Sequence, residues 1–181
     1  MAKFYTNITQ RIQEFIANQK MFFVATAPKE GRINLSPKGM DSFRILNEHT
    51  VAWLSVTGSG NETSAHLLEN NRITVMFCAF EGAPNIVRIY GSATEIQEND
   101  TEWENYSKLF PELPGARQIF IITVETVQTS CGMSIPFYEY KGERNQLNEW
   151  AESKGEAGIK TYWEEKNQVS IDGLKTKLFN T

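Results

Sequence analysis

The chain has 181 residues, of which 40% are hydrophobic and 22% are charged, and this length is typical of one globular domain. Its 22 acidic residues outnumber its 18 basic ones, so it lacks the basic excess of most nucleic-acid-binding proteins. No apolar run approaches the ~20 residues of a membrane-spanning helix, and no export signal begins the sequence. Cys78 and Cys131 are too few for a disulfide framework. We therefore expect a cytoplasmic protein with neither nucleic-acid nor membrane partners.

The first predicted element is a helix, because apolar residues from Ile8 to Ile16 recur at helical spacing after a possible cap at Thr6 or Asn7. Runs rich in β-branched and aromatic residues then predict strands. These runs are Met21–Ala27, Arg32–Ser36, Phe43–Leu46, Thr50–Val56, Ile73–Phe80, Asn85–Gln97 and Gln118–Thr129. The connections are too short for parallel crossovers, so we expect a mainly antiparallel sheet in a barrel or meander.

Further helices are predicted over Asn61–Asn70, over Thr101–Leu109 with a capping-box pattern, and over most of the chain after Gly142. The fold class is therefore mainly β (α+β), with peripheral helices and a helical C-terminal tail. We expect residues 1–181 to form one domain, with a core over about 8–135 and a helical extension over about 142–181.

The segment Thr57–Thr63 follows a predicted strand and opens a predicted helix. Its small residues allow close backbone approach, and a helix start offers free N–H groups, so the segment suits a phosphate. A flexible turn with Asn61 as helix cap explains it equally well. It is neither a Walker A loop, which needs Gly-Lys-Ser/Thr, nor a dinucleotide fingerprint, whose third glycine is replaced here by Thr63.

A second segment, Ser36-Pro37-Lys38-Gly39, ends a predicted strand. Lys38 is a cation that could meet a phosphate or an electron-rich ring oxygen, although a hairpin with a solvated lysine is the simpler interpretation. A third segment, Ser130–Pro136, ends the last long predicted strand and is expected to form a compact turn. Its Cys131 has no neighbouring histidine to activate the thiol.

Other kinds of catalytic site receive little support from the sequence. His49 and His66 are the two histidines, and no zinc-ligand spacing appears, so we expect no metal site. There is no Gly-x-Ser-x-Gly elbow, and no side chain is identified as a catalytic acid, base or nucleophile.

The order of these motifs resembles the pyridoxamine 5'-phosphate oxidase-like, FMN-binding split-barrel family over about residues 8–135. The motifs that carry the resemblance are GRINLSPKG at 31–39, TGSGNET at 57–63, HLLEN at 66–70, RITVMFCAF at 72–80 and NIVRIYGSA at 85–93.

The resemblance implies a six-stranded antiparallel Greek-key split barrel and a homodimer with one FMN per subunit at the interface. It assigns one set of residues to the flavin ring: Ser36, Pro37, Lys38 and Gly39. It assigns another set to the phosphate side: Thr57, Ser59, Gly60, Asn61, Glu62 and Thr63. The segment Cys131–Ile135 is expected to close the site, from the partner subunit if the family pattern holds.

The sequence also departs from the true oxidases of this family. They carry Ser-Arg-Lys where this chain has Asn61-Glu62-Thr63, so Glu62 would repel a phosphate unless it turned away or met Lys38. Other cations that could compensate are Arg44, Arg72 and Arg88. The C-terminus also lacks the Trp and Arg residues that hold the substrate phosphate, so we expect an activity other than pyridoxamine phosphate oxidation.

The leading hypothesis is an FMN-dependent oxidoreductase that acts on an unknown small molecule or electron donor, with Lys38 stabilising charge at the N1/O2 edge of the reduced ring. The alternative is a non-catalytic flavin-binding or sensing protein. A phosphate-ligand hydrolase or transferase using the Thr57–Thr63 turn ranks last, and a related flavin or a deazaflavin stays open as the cofactor.

Overall fold

The computed structural model describes residues 2–178, which form eight strands and four helices. The strands are β1 (Lys3–Tyr5), β2 (Phe22–Thr26), β3 (Asn34–Lys38), β4 (Phe43–Asn47), β5 (Thr50–Val56), β6 (Arg72–Cys78), β7 (Asn85–Gln97) and β8 (Ala116–Cys131). The helices are α1 (Gln10–Ala17), α2 (Glu62–Glu69), α3 (Trp103–Ser107) and α4 (Gln146–Lys166).

All strands belong to one sheet in the order β3-β2-β6-β7-β8-β5-β4, with β1 paired to β8. Every pairing between these strands is antiparallel, as the short connections predicted. The expected count of six strands is wrong, because the described residues form eight. The three-residue strand β1 is too short to show an alternating pattern, and only its pairing with β8 defines it.

The main core lies between α1 and one face of the sheet. Its buried side chains include Ile12, Ile16, Val24, Trp53, Phe77, Ile89, Phe120 and Val127. Trp53 stacks on Phe120 with ring centroids 4.8 Å apart. On the opposite face of β5, Ala52 and Leu54 join a second buried cluster, so this strand is covered on both sides. A strand packed on both faces is a rigid support for the loop that follows it.

Several predicted boundaries shift for physical reasons. Helix α1 begins after Thr9 rather than after Thr6 or Asn7, because the Ile8 N–H donates to the Glu48 carbonyl 2.8 Å away, outside the helix. The capping box predicted for α3 is wrong, since no side chain caps this helix. Within residues 2–178, no helix has both the length and the apolar character needed to cross a membrane.

The C-terminal region is only partly helical. Helix α4 kinks at Gly155, whose φ of 65° lies in the left-handed region, and the helix ends at Lys166. After it, Val169 and Lys175 form an isolated antiparallel bridge around the predicted Asp172-Gly173 turn. The prediction of a helical tail to residue 181 is therefore wrong for residues 167–178, and residues 179–181 lie outside the described part.

Candidate functional site

The edge strand β3 presents Ser36 and Lys38 on its half-buried face, while Leu35 and Pro37 on the other face are exposed. This alternation follows from the two-residue period of a strand. The Ser36 hydroxyl is buried and has no hydrogen-bond partner in the described part of the chain. A buried hydroxyl without a protein partner can form a hydrogen bond with a bound ligand.

Lys38 is the most informative side chain of this strand. Its ammonium nitrogen lies over the Trp53 ring, 5.1 Å from the ring centroid. Burial, aided by the positive charge of Arg117, lowers the pKa of Lys38 to about 8. Among residues 2–178, no carboxylate lies within ion-pair distance of Lys38. The lysine therefore has a neighbouring cation and no neutralising partner.

Pro37, Lys38 and Gly39 line a cavity of about 1410 Å³. Its other walls include residues 18–21, which follow α1, and residues between Tyr138 and Leu147, which lead into the start of α4. Phe80 and Tyr138 contribute aromatic surface, with ring centroids 5.4 Å apart. A cleft of this size, largely apolar with a few polar groups, is typical of a small-molecule or cofactor site.

The loop between β5 and α2 is held mainly by other parts of the protein. The buried Thr57 hydroxyl donates to the Gly115 carbonyl at 2.8 Å and accepts the indole N–H of Trp163 at 2.8 Å. Ser59 is exposed. The Thr57 side chain thus has a structural role, whereas Ser59 faces solvent.

The side chains at the start of α2 also form hydrogen bonds with other parts of the protein. Asn61 stands at the helix N-cap but does not cap it, since its side-chain amide pairs reciprocally with Gln118 at 2.7 and 3.3 Å. The Glu62 carboxylate accepts the Ile171 N–H at 3.0 and 3.2 Å, so it turns toward the C-terminal segment instead of meeting Lys38. Thr63 faces Asn34 of β3, with 3.5 Å between the hydroxyl oxygen and the amide nitrogen.

Sequence reasoning missed Arg117, which lies in β8 beneath this loop. The residue is only 5% exposed, and its Nη1 donates to the Gly60 carbonyl at 3.2 Å and to Asn167 Oδ1 at 2.6 Å. Burial lowers its pKa to about 10, and Glu95 opposes that shift. Its positive charge also contributes to the lowered pKa of Lys38 in β3. An arginine beside the apolar run at 119–122 is the one sequence signal of its burial.

The three compensating cations expected from the sequence make contacts elsewhere. Arg44 binds Asp41, Arg72 donates to Asn70, and Arg88 donates to Ser130. None of these contacts involves residues 57–63, so the suggestion that one of these arginines offsets Glu62 receives no support from the described contacts.

The remaining candidates agree with their simpler interpretations. Cys78 is buried, and Cys131 is exposed at the end of β8, where the Ile135 N–H donates to the Gly132 carbonyl at 2.9 Å in a compact turn. His66 is buried and its Nδ1 lies 3.0 Å from the Thr26 hydroxyl. Among the described residues, no group of three His, Cys, Asp or Glu side chains could hold a metal.

These observations divide the residues assigned to a flavin into two groups. The β3 residues are free for such a ligand, because Lys38 lines the large cleft without a carboxylate partner and the buried Ser36 hydroxyl, on the same face of the strand, is unpaired. The side chains of Thr57, Asn61 and Glu62 do not fit as phosphate donors, because protein groups already bind them. Ser59 is exposed, and Gly60 contributes only backbone groups, of which the carbonyl accepts from Arg117.

The chain is thus an antiparallel β protein in which a lysine of an edge strand lines a large cleft. The family model described as pyridoxamine 5'-phosphate oxidase matches residues 8–131, and the chain belongs to this family. The resemblance stated from the sequence motifs is thereby confirmed. A curated relative, the pyridoxamine 5'-phosphate oxidase family protein ustO of Aspergillus flavus, is 36% identical over 96% of this chain and 77% of its own length.

Solved structures share the fold. HupZ of Group A Streptococcus is 26% identical, with a TM-score of 0.54 over 66% of this chain and 91% of its own. The FAD binding protein of Mycobacterium smegmatis aligns with a TM-score of 0.51 at 12% identity, over 70% of this chain and 97% of its own. These neighbours are nearly fully covered while about a third of this chain is not, so it carries an addition to the shared fold.

Proposed function

We propose that this protein binds a flavin, FMN in the first instance, and acts in the cytoplasm as an oxidoreductase on a small molecule. Membership of the pyridoxamine 5'-phosphate oxidase family supports the flavin. The observation that carries the proposal is Lys38, a half-buried lysine with no carboxylate partner at the wall of a large cleft. A charge kept there at a cost in stability has a function in ligand binding.

The residues of β3 would have distinct roles toward this cofactor. Lys38 would hold an anionic or electron-rich atom of the ligand, and the Ser36 hydroxyl would donate or accept one hydrogen bond. The bound flavin would supply the redox chemistry, while the protein orients it and excludes water. The family resemblance identifies no residue of this chain as an acid or a base. No side chain is therefore assigned to proton transfer.

The proposal includes a homodimer of single-domain split barrels with the flavin at the interface. In support, Ile33 and Leu35 at the edge strand are 75% and 64% exposed. Ile171 is 70% exposed in the C-terminal segment, which an ion pair between Arg32 and Asp172 joins to the start of β3. Exposed apolar side chains grouped at a sheet edge favour burial against another chain.

The test is a titration of the purified full-length protein with FMN, in which the quenching of flavin fluorescence measures binding. Lys38→Ala should weaken binding by about tenfold or more, as expected for loss of a charged contact. Lys29→Ala, which removes an exposed lysine that does not line the cleft, should leave the affinity unchanged. Equal affinities for wild type and Lys38→Ala would contradict the proposed site.

A second titration separates the oxidoreductase from the non-catalytic alternative. NADH or NADPH should reduce the bound flavin, and an electron acceptor should reoxidise it in repeated turnover. A tightly bound flavin that neither donor reduces would favour a binding or sensing protein.

A further inference from the structure

A second cavity, of about 510 Å³, lies beside the large cleft. The residues that line this smaller cavity come chiefly from α1 and the residues after it, from β4 and from the turn between β3 and β4. Five residues line both cavities and belong to the wall that they share: Gln19, Lys20, Gly39, Tyr140 and Glu143. Lys38 lines the large cleft and not the smaller cavity. The volume of the smaller cavity is sufficient for a small molecule.

The apolar part of the smaller cavity includes a cluster of three phenylalanines, Phe22, Phe43 and Phe77. Their ring centroids lie 5.0, 5.1 and 5.5 Å apart, so each ring contacts the other two. Phe22 and Phe77 are buried in the main core, whereas Phe43 is half-buried. Aromatic rings pack on one another at such distances through offset and edge-to-face contacts. The apolar lining therefore favours a ligand that carries an aromatic ring.

The charged part of the lining leaves one cation free. Arg44 and Asp41 form an ion pair, and the Glu143 carboxylate accepts the Tyr140 hydroxyl at 2.7 Å. Within residues 2–178, no carboxylate lies within ion-pair distance of the Lys20 ammonium. This ammonium lies over the Tyr140 ring, 5.8 Å from the ring centroid. Lys20 is thus the charged group of the smaller cavity that can meet an anionic group of a ligand.

The turn between β3 and β4 has an unfavourable backbone conformation beside this cavity. Met40 and Asp41 have φ values of 62° and 52°, in the left-handed region that residues other than glycine rarely adopt. Arg44 stabilises the turn by binding both carboxylate oxygens of Asp41, at 2.7 and 2.8 Å. Met40 lines the large cleft, whereas Asp41 lines the smaller cavity. Strained backbone is concentrated at ligand-binding sites, and here it shapes the boundary between two cavities.

We propose that the smaller cavity is a binding site for a small aromatic carboxylate. The aromatic ring packs on Phe22, Phe43 and Phe77, and the carboxylate binds the Lys20 ammonium. This site is separate from the flavin position proposed at Lys38 and does not rest on that proposal.

The experiment titrates the full-length, isotope-labelled protein with phenylacetate and with phenylacetamide, and it follows the amide chemical shifts of the protein by NMR. The two probes share the same ring and differ in whether the polar group is charged. Phenylacetate should bind saturably and about threefold or more tightly than phenylacetamide, as expected for one partly exposed ion pair. Lys20→Gln should bring the two affinities within about twofold of each other, because the cation is gone.

A second variant tests the cavity itself. Ala17 is exposed at the end of α1 and lines the smaller cavity but not the large cleft, so Ala17→Trp places a large side chain at this site alone. The variant should lose binding of both probes, while its FMN affinity stays within about twofold of wild type. Ala157→Trp makes the same change at an exposed position of α4 outside both cavities, and it should alter none of the three affinities.

The outcomes separate this inference from the proposed function. A wild-type protein that binds neither probe, or binds both with equal affinity, would overturn the inference. A folded Ala17→Trp protein that keeps its phenylacetate affinity, or loses FMN together with phenylacetate, would also overturn a separate site. If Ala17→Trp fails to fold by circular dichroism, the result for Lys20→Gln decides. The expected phenylacetate results in a protein that binds no FMN would support the inference and overturn the flavin proposal.

Discussion

Lys38 is half-buried and lies in the field of the positive Arg117, and both conditions destabilise its charged form. Its pKa of about 8 lies far below the ordinary lysine value of 10.5. The charge is therefore present at neutral pH and is lost as the pH rises through about 8. Ligand binding can therefore be measured at pH values on both sides of the pKa of Lys38.

The first prediction concerns the pH dependence of ligand affinity. FMN affinity should be highest below pH 8 and should fall as Lys38 deprotonates above it, because an anion is held by the charged ammonium. Dissociation constants measured between about pH 6.5 and 9.5 test this. Lys38→Arg keeps its charge over the whole range and should give a flat profile. A wild-type profile as flat as that of Lys38→Arg would contradict the role of Lys38.

The second prediction separates binding from stability at the same residue. Lys38→Met should increase the free energy of unfolding at pH 7 by about 1–2 kcal/mol, because it removes a desolvated charge at similar volume. In wild type the unfolded chain keeps its lysine proton up to about pH 10.5 while the folded chain loses it at about 8. The stability that Lys38→Met gains over wild type should therefore shrink as the pH rises from about 8 to about 10.5.

Urea unfolding at several pH values measures this effect. FMN binding should be lost in the same variant, since the ammonium is gone. A destabilised Lys38→Met protein would show that the lysine serves the fold rather than a ligand.

At the scale of elements, the end of α4 and the segment after it hold the loop that begins at Thr57 and the helix that follows this loop. Trp163 of α4 and Asn167 bond to the loop itself, and the Lys177 N–H donates to Ser64 of α2 at 3.1 Å. These contacts join residues more than a hundred positions apart in sequence. They give the addition to the shared fold a physical role, which is to fix the loop and Arg117.

The third prediction tests this role. Thr57→Val should lower the free energy of unfolding by about 1–3 kcal/mol, because the Trp163 N–H loses its partner and the Gly115 carbonyl loses one of its two donors. Ser59→Ala, in the same loop but exposed, should change stability by less than about 0.5 kcal/mol. Denaturant unfolding measures both. Equal stability of the two variants would show that the Trp163–Thr57 contact does not hold the loop.

The elements were predictable where the pattern is local. Strand β7 has the bounds expected for it, because β-branched residues alternate along Asn85–Gln97 and turn residues flank the run. The end of the chain was not predictable, because Gly155 breaks α4 and the side chain of Asn167 binds Arg117, fifty residues away. Sequence periodicity carries no information about such a pairing.

The candidate site likewise contains a residue that the sequence motifs pointed to and one that they did not. Lys38 was singled out because its motif is contiguous in sequence, and the structure places it at the wall of a large cleft. Arg117 was missed because a single arginine in a strand normally faces solvent. Its burial arises from the loop above it and from a segment distant in sequence.

At the scale of the whole molecule, the exposed apolar edge formed by Ile33 and Leu35 bears on assembly. The fourth prediction is that Leu35→Glu converts the proposed dimer to a monomer, because a charge would be buried at its interface. Sedimentation velocity measures the mass of each form. Leu68→Glu places the same charge on α2, where Leu68 is 57% exposed, and should leave the dimer intact. A monomeric wild type would contradict the interface.

The most direct test of the account is a visible absorption spectrum of the purified full-length protein, with mass analysis of the chromophore released on denaturation. The account predicts a flavin band, restored by added FMN if the cofactor was lost on purification, and a released mass equal to that of FMN. A colourless protein that also fails to bind added FMN would contradict the flavoprotein proposal.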